Sequence, residues 1–500
     1  PIRNMILDPK PKKYKLYESN IEPMLRCMHT RKLNAVGWIK IKAGKYNYFT
    51  KETEISNNEV SIYTDWSMLD YVEDNNIARI TIASYDLECT SGDGSFPQPY
   101  RDEDKIIQIG TTFSRYGESE WYFKHIITLG SCDPIEGATV ESYDNEVAVL
   151  LAWTKLVQRE NPDVITGYNI FGFDFKYLKE RADKLGCQKS FSKLGRIKNE
   201  SSLYIDKTLT SSALGENRMT YYVMQGRINI DVMKVIQRDH KLGSYKLDNV
   251  AATFIRESVL SVTFNGNQTI IKTNSTYGLD AGRYIKIYFN DGLSDNSYKN
   301  EAKFKVINVT DNTITINGIL DDEAIELDKY EIFWCQAKDD VSPNDIFRMQ
   351  KGSSADRAVI ASYCLQDCQL VNKLIHKLQI LTSNICMANV CHVPLSYIFL
   401  RGQGVKIFSL VSKKCRERNH LIPVIKKPFT PQNPVMAKIQ KVQEEIEEEN
   451  EGYEGATVFE PTIAVHQEPI VVFDYNSLYP NSMIFRNISH ECIVKNPQYD

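Results

Sequence analysis

No apolar run in these 500 residues approaches the ~18 uninterrupted residues of a membrane-spanning helix. The 11 cysteines include no CxxC pair and show no regular spacing. That fits reduced thiols in a cytosolic or nuclear compartment better than a disulfide framework. Charge of one sign is also lacking: 60 Lys+Arg stand against 64 Asp+Glu, a net −4 with His neutral. The balance argues against a purely electrostatic nucleic-acid binder but leaves a local basic surface open. There are no internal repeats and no signal peptide, and Pro1 reads as a cut end. What is present is ordinary globular composition, 42% apolar and 25% charged. At roughly 150 residues per domain, the length suggests about three domains.

Residues 1–78 form a mixed segment with extended runs such as Val36–Ile41. From Arg79 to Tyr85 the β-branched run reads as a strand, and Ile106–Phe113 as a second. Val147, Leu150 and Leu151 recur at helical spacing until Asn161-Pro162-Asp163 closes the helix. Strands alternating with helices predict an α/β domain over 79–380. Its rhythm breaks at about 257–337, where short alternating runs are separated by Asn265-Gly266, Asp291-Gly292 and Asn317-Gly318. Those turn signals predict an all-β insertion. A helical pattern returns at Ala355 and runs to Leu381. A connector over 381–468 follows, with prolines and the Glu-rich stretch Glu444–Glu449, a solvated helix or linker.

Three patterns carry carboxylates. Asp86-Leu87-Glu88 ends the first strand, and residues two apart in a strand face one side. The same pattern at Asp321-Asp322-Glu323 shows that it also arises as a solvated turn. Asn169-Ile-Phe-Gly-Phe173-Asp174 follows a strand-like run, and Asp174 stands where a helix begins, the place of an ordinary N-cap. Tyr363-Cys-Leu-Gln-Asp367 lies within helical periodicity, one turn apart on one face. In conjunction, four carboxylates above one sheet need cations, and oxygen-only ligation selects Mg2+ or Mn2+. Two such ions ~4 Å apart activate a water and stabilise the leaving oxygen of a phosphodiester.

These patterns, in this order, resemble the three exonuclease motifs of the family B DNA polymerases, with the Tyr-bearing third motif of the DEDDy group. Phe96-Pro97, Asn161–Asn169 and Ser244–Leu247 are similar to the delta-type branch, and Tyr17–Ile21 to its N-terminal domain. The insertion, with Asp339–Pro343 and Lys351–Ser354, resembles polymerases of large nucleocytoplasmic DNA viruses. The resemblance implies a ribonuclease-H-like fold and 3′→5′ proofreading on a single-stranded DNA 3′ end. It implies that Asp86 bridges two Mg2+ ions (Mn2+ able to substitute), that Glu88 and Asp367 hold the water-activating ion, that Asp174 serves the other, and that Tyr363 positions the water.

Residues 469–500 resemble the start of a polymerase palm. Val471-Val-Phe-Asp474 reads as a strand reaching a carboxylate before a helix, where the ordinary reading is a helix cap. With Tyr475-Asn476-Ser477-Leu478-Tyr479-Pro480 it resembles motif A. That resemblance implies a catalytic metal on Asp474 and the Tyr475 carbonyl, nucleotide phosphates near the amides of Asn476–Tyr479, and a sugar-selecting Tyr479. Asn481-Ser482 departs from the commoner Ser-Ile. Arg401-Gly-Gln and Tyr453-Glu-Gly455-Ala resemble family segments between the two sites. DNA contacts are implied at Asn169, Phe173, Arg401, Tyr453 and Gly455. The family's Lys-x-x-x-Asn-Ser-x-Tyr-Gly and Tyr-Gly-Asp-Thr-Asp segments do not occur here, so the chain alone is expected not to extend a primer. It reads as a fragment of a replicative polymerase, acting on primer-template DNA and dNTPs in a nucleus or viral replication site, with a sliding clamp as an implied partner and no membrane. A stand-alone DEDDy exonuclease, needing only the first 380 residues, and a non-catalytic DNA-binding module are the rival readings.

Overall fold

The computed structural model describes residues 16–74, 76, 78–211, 215–290, 295–320, 330–337, 341–422, 458–489 and 492. They fall in two units, Pro1–Val424 and Ile425–Asp500. In the first, helix α1 (Pro23–Arg31) precedes four short strands, β1 (Trp38–Lys40), β2 (Tyr46–Tyr48), β3 (Ile62–Thr64) and β4 (Asp70–Val72). They pair antiparallel as β1 with β4 and β2 with β3. Leu25 of α1 is buried in a cluster with Ala388, Leu395 and Ile398.

The β-branched run at 81 forms β5 (Thr81–Cys89), which pairs antiparallel with β6 (Ile106–Arg115), itself antiparallel to β7 (Trp121–Leu129). Strand β8 (Thr139–Tyr143) then adds parallel to β7. Helix α2 (Glu146–Glu160) begins at Asn145, whose side chain accepts from the Ala148 amide, and ends at Asn161 in a left-handed turn at φ 50°. It returns the chain to β9 (Val164–Gly167), parallel to β5. Helices α3 (Asp174–Lys184) and α4 (Gln188–Phe191) and the hairpin of β10 (Leu203–Ser211) and β11 (Gly215–Val223) follow. Strand β12 (Ile228–Asp231), parallel to β9, completes a six-stranded sheet of order β12-β9-β5-β6-β7-β8.

Parity along β5 decides the layers. Ala83, Tyr85 and Leu87 pack with Trp153 of α2 and Phe175 and Leu178 of α3. The even residues face the other way, where Ile82 meets Leu370, Val371 and Leu374 of a long helix. Helices α5 (Val232–Asp239) and α6 (Leu247–Phe254) lead out of the sheet toward residue 256.

There the chain leaves the layers. Strands β13 (Arg256–Asn265), β14 (Gln268–Thr273), β15 (Tyr284–Asn290), β16 (Asp295–Ser297), β17 (Phe304–Val309), β18 (Thr313–Asn317) and β19 (Glu331–Ala337) are all antiparallel to their neighbours. The pairings run β15-β17-β18-β14-β13-β19 and back to β15, so the sheet closes into a barrel, with β16 pairing the last residues of β15. Closure leaves no edge around the ring. Ile271, Ile285, Val306, Ile314 and the buried Trp334 fill the interior, and the Trp334 indole donates to Thr273 Oγ1 at 3.0 Å. Asn265-Gly266 makes the tight β13–β14 turn, with Gly266 at φ +59°. Asp291-Gly292, Asp321–Glu323 and Asp339-Asp340 lie outside the described residues.

The helical second half begins with α7 (Pro343–Gln350) and α8 (Ser354–Lys377). Both start with capping boxes, Ser342 with Asp345 and Ser353 with Asp356. Then come α9 (Ile380–Cys391), α10 (Leu395–Leu400) and α11 (Gln403–Glu417). Helix α8 covers the even face of the sheet. Gly110 of β6 makes this possible: a Cβ there would stand 2.7 Å from Cys364 Sγ and 3.2 Å from Cys368 Sγ. Gly110→Val is expected to cost about 1–3 kcal/mol by overpacking, read as a lower urea midpoint. An unchanged midpoint would contradict the close approach.

In the second unit, α12 (Leu478–Phe485) is the described helix. The strand expected at Val471–Phe473 is not formed: residues 471–473 have no regular structure and Phe473 is 91% exposed. A strand needs a ladder partner for its N–H and C=O groups. Among the described residues of this unit there is no other strand to provide one. No helix among the described residues is long and apolar enough to cross a membrane.

Candidate active site

Asp86 and Glu88 lie on the even face of β5, turned toward α8 by the two-residue period of the strand. Opposite them, α8 carries Tyr363 and Asp367 one turn apart. All four line one cavity of about 740 Å³, with Phe96, Phe173 and Phe347 among its walls. The Phe96 and Phe173 rings meet edge to face at 5.5 Å. Cys364 sits between the two elements, and its Sγ donates to the Asp86 carbonyl at 3.6 Å.

The turn from β9 into α3 carries the second motif. Asn169 occupies the left-handed region at φ 63°, and its carbonyl accepts from Gly172 N at 2.9 Å and Phe173 N at 3.0 Å. Asp174 is the first residue of α3 with Phe173 at the N-cap position, so Asp174 is not the ordinary cap. It is buried, and it accepts a hydrogen bond from the Leu87 amide. Burial, then the charges of Asp86 and Asp231, hold its carboxyl well above the usual carboxylate range.

Asp231 is the residue that sequence reasoning missed. It ends β12, is fully enclosed, and accepts from the amides of Asn169 at 3.0 Å, Phe171 at 2.9 Å and Met233 at 3.0 Å. One carboxylate therefore caps α5 and fixes the turn that presents Asn169, Phe173 and Asp174. Burial pushes it up to about 6. Its one signal in the sequence is the alternating Ile228-Asn229-Ile230 reaching an acid before a helix.

The donor set suits a hard divalent cation. Asp86, Glu88 and Cys364 offer ligand atoms within 4.8 Å of one another. Cys364 is enclosed, and burial raises its thiol well above the ordinary value, so the carboxylate oxygens rather than this sulfur would be the donors to such a cation. The mutual repulsion that raises Asp174 is what a cation would relieve.

Arg401 is not among the residues that line this cavity. The Arg401 guanidinium is engaged with Glu22 at 2.7 Å and lies 4.5 Å over the Tyr397 ring, tying α10 to the N-terminal region. Tyr453, Gly455 and the Glu-rich stretch lie outside the described residues. In the second unit, Asp474, Tyr475 and Asn476 precede α12, Ser477 is its N-cap at φ 50°, and Leu478 and Tyr479 open the helix. The departure at Asn481 has a structural use: its side-chain amide donates to the Asn476 carbonyl at 2.6 Å and closes this turn. Among the described residues, Asp474 belongs to no group of three or more acidic, His or Cys side chains that could hold a metal ion.

A model of the DNA polymerase family B exonuclease domain matches residues 14–250, and a model of DNA polymerase family B matches residues 393–500. The chain is 36% identical to a DNA polymerase of Pyramimonas orientalis virus, over 97% of this chain and 48% of that protein. It is 36% identical to a DNA polymerase of Acanthamoeba polyphaga mimivirus, over 100% of this chain and 34% of that one. It is 31% identical to the DNA polymerase delta catalytic subunit of Dictyostelium discoideum, over 97% of this chain and 34% of that subunit. The chain thus spans less than half the length of these relatives. Both models describe one family, and together they take in the residues carrying the first two exonuclease motifs and motif A: the chain belongs to the family B DNA polymerases.

Proposed function

We propose that this chain provides the 3′→5′ proofreading exonuclease and the beginning of the palm of a replicative DNA polymerase, whose whole form carries out template-directed deoxynucleotide transfer. The observation that carries the nuclease reading is the convergence of Asp86, Glu88, Tyr363 and Asp367 on one cavity. The mixed sheet with helices on both faces supports a ribonuclease-H-like fold. Two Mg2+ ions, for which Mn2+ substitutes, would lower the pKa of the attacking water and neutralise charge at the scissile phosphodiester. Asp86, Glu88, Asp174 and Asp367 would hold them. The Tyr363 hydroxyl orients the water, and the aromatic walls at Phe96 and Phe173 receive the terminal bases by stacking. The match over 393–500 favours this reading over a stand-alone exonuclease. A sliding clamp remains an expected partner, and the free cysteines support a reducing compartment, a nucleus or viral replication site.

The test is degradation of 5′-labelled single-stranded DNA. Stepwise shortening from the 3′ end with Mg2+ or Mn2+, abolished by EDTA, is expected. Cleavage from the 5′ end, or cleavage without metal, contradicts the reading. In the complete polymerase, Tyr479→Ala is expected to relax discrimination between dNTPs and rNTPs by about 10²-fold in relative kcat/KM, since one steric contact supplies selectivity of this order. An unchanged ratio removes Tyr479 from sugar selection.

A further inference from the structure

The barrel touches α8 on a face that neither the sheet nor the cavity uses. In the loop between β14 and β15, Arg283 donates to Gln366 Oε1 at 2.9 Å and to Gln369 Oε1 at 3.2 Å. One turn further along the helix, the buried Lys373 reaches the Gly278 carbonyl and, at 3.1 Å, Asp280 Oδ2. Another turn on, Lys377 meets Glu257 of β13 at 3.0 Å. Positions 366, 369, 373 and 377 are three and four apart and share one side of the helix. Cys364 and Cys368 point toward the sheet at Gly110, and Tyr363 and Asp367 point into the cavity. The helix is thus gripped from two sides, with its reactive flank between them. The approach is close: Gly278 lies at φ +81°, and a Cβ there would stand 3.4 Å from Lys373 Cδ and 3.1 Å from Ile255 Cγ2. Tyr284, the first residue of β15, lines a neighbouring cavity of about 700 Å³ together with Tyr363.

We propose that the barrel is a brace for the nuclease site: through Arg283 it fixes the rotation of α8, and so the position of Tyr363 and Asp367 opposite Asp86 and Glu88. Arg283 is a positioning residue, adjacent through Gln366 to a metal-binding carboxylate. The proposal rests on the nuclease reading above. Rotation of a helix by a fraction of a turn moves side-chain tips by about an ångström, and a displacement of that size costs up to about 10²-fold in rate.

Arg283→Ala, Arg283→Lys and Gln369→Ala in the full chain test it, with three readouts: kcat and KM on single-stranded DNA, Mn2+ affinity without DNA by electron paramagnetic resonance, and the thermal midpoint. Arg283→Ala is expected to lower kcat about 10- to 100-fold, leave KM for DNA near wild type, weaken Mn2+ binding and leave the midpoint unchanged. Arg283→Lys is expected to recover part of the rate. Gln369→Ala, which removes one acceptor and no charge, carries the same test if Arg283→Ala does not fold. Wild-type kcat and Mn2+ affinity in these variants would overturn the brace, as would losses that only follow a lowered midpoint. If the unaltered chain degrades no DNA, the nuclease reading fails, while the Mn2+ titration still reports separately on the brace.

Discussion

The double substitution Asp86→Ala, Glu88→Ala is expected to lower 3′→5′ degradation by at least about 10³-fold, or about 4 kcal/mol of transition-state stabilisation. Both carboxylates stand on one face of β5 and line the cavity shared with Tyr363 and Asp367. Without them the site keeps Asp367 and Asp174 but loses the side that would bridge two cations. Misfolding is not the expected cause, because the charge of Asp86 raises the buried Asp174, and removing it relieves repulsion. The thermal midpoint should therefore hold or rise while Mn2+ binding is lost. Cys364→Ala provides the contrast: a neutral thiol that donates to the Asp86 carbonyl can be removed with the rate near wild type. Activity that survives the double substitution sinks the site assignment. Activity lost with Cys364→Ala at an unchanged midpoint would make the sulfur a participant.

Arg181→Met is expected to cost about 3–5 kcal/mol of stability, because it strands a buried carboxylate. Arg181 is 1% exposed and Glu146 is 5% exposed. The Arg181 Nε donates to Glu146 Oε1 at 2.8 Å, and a second, shorter contact makes the pair bidentate. Glu146 also accepts from the Ile106 amide at 2.9 Å, and Arg181 donates to the carbonyls of Pro99 at 3.0 Å and Arg101 at 2.6 Å. One ion pair thus joins α2, α3, the start of β6 and the loop that follows Phe96. Replacing both partners by apolar residues, Arg181→Met with Glu146→Leu, is expected to recover most of the loss, since the charge left unpaired is the larger penalty. Chemical denaturation measures both variants. A single-variant loss below about 1 kcal/mol, in the range of a surface pair, would show that the pair is not doing this.

Local periodicity made the reactive face readable. The two-residue period of a strand put Asp86 beside Glu88, and the four-residue spacing in a helix put Tyr363 beside Asp367, and neither inference needed a partner element. The turn at Asn265-Gly266 likewise carries its own geometry. What depended on distant parts of the chain stayed hidden. Nothing near Ile285 says that it pairs with Gln336, so the hairpins were legible and the closed barrel was not. Asp231 and the Arg181–Glu146 pair look like ordinary surface residues until burial is known. Ser342 and Ser353 entered only within segments similar to viral sequences, although their meaning is local: each starts a helix. At Val471–Phe473 composition suggested a strand, but a strand is a pairing and not a property of three residues.

The pairing of β13 with β19 has a consequence for how this protein is made. Arg256 lies opposite Cys335, so the chain leaves the α/β layers and rejoins them at nearly the same point. The parent domain therefore experiences the whole barrel as a short bridge, with little added loop-closure entropy. On the ribosome, however, the barrel is synthesised between β12 and α8. Asp86, Glu88 and Asp174 emerge early, and Tyr363 and Asp367 only after the last barrel strand. A nascent chain therefore carries an incomplete set of these carboxylates until the barrel has been synthesised, and the site proposed above cannot assemble before it.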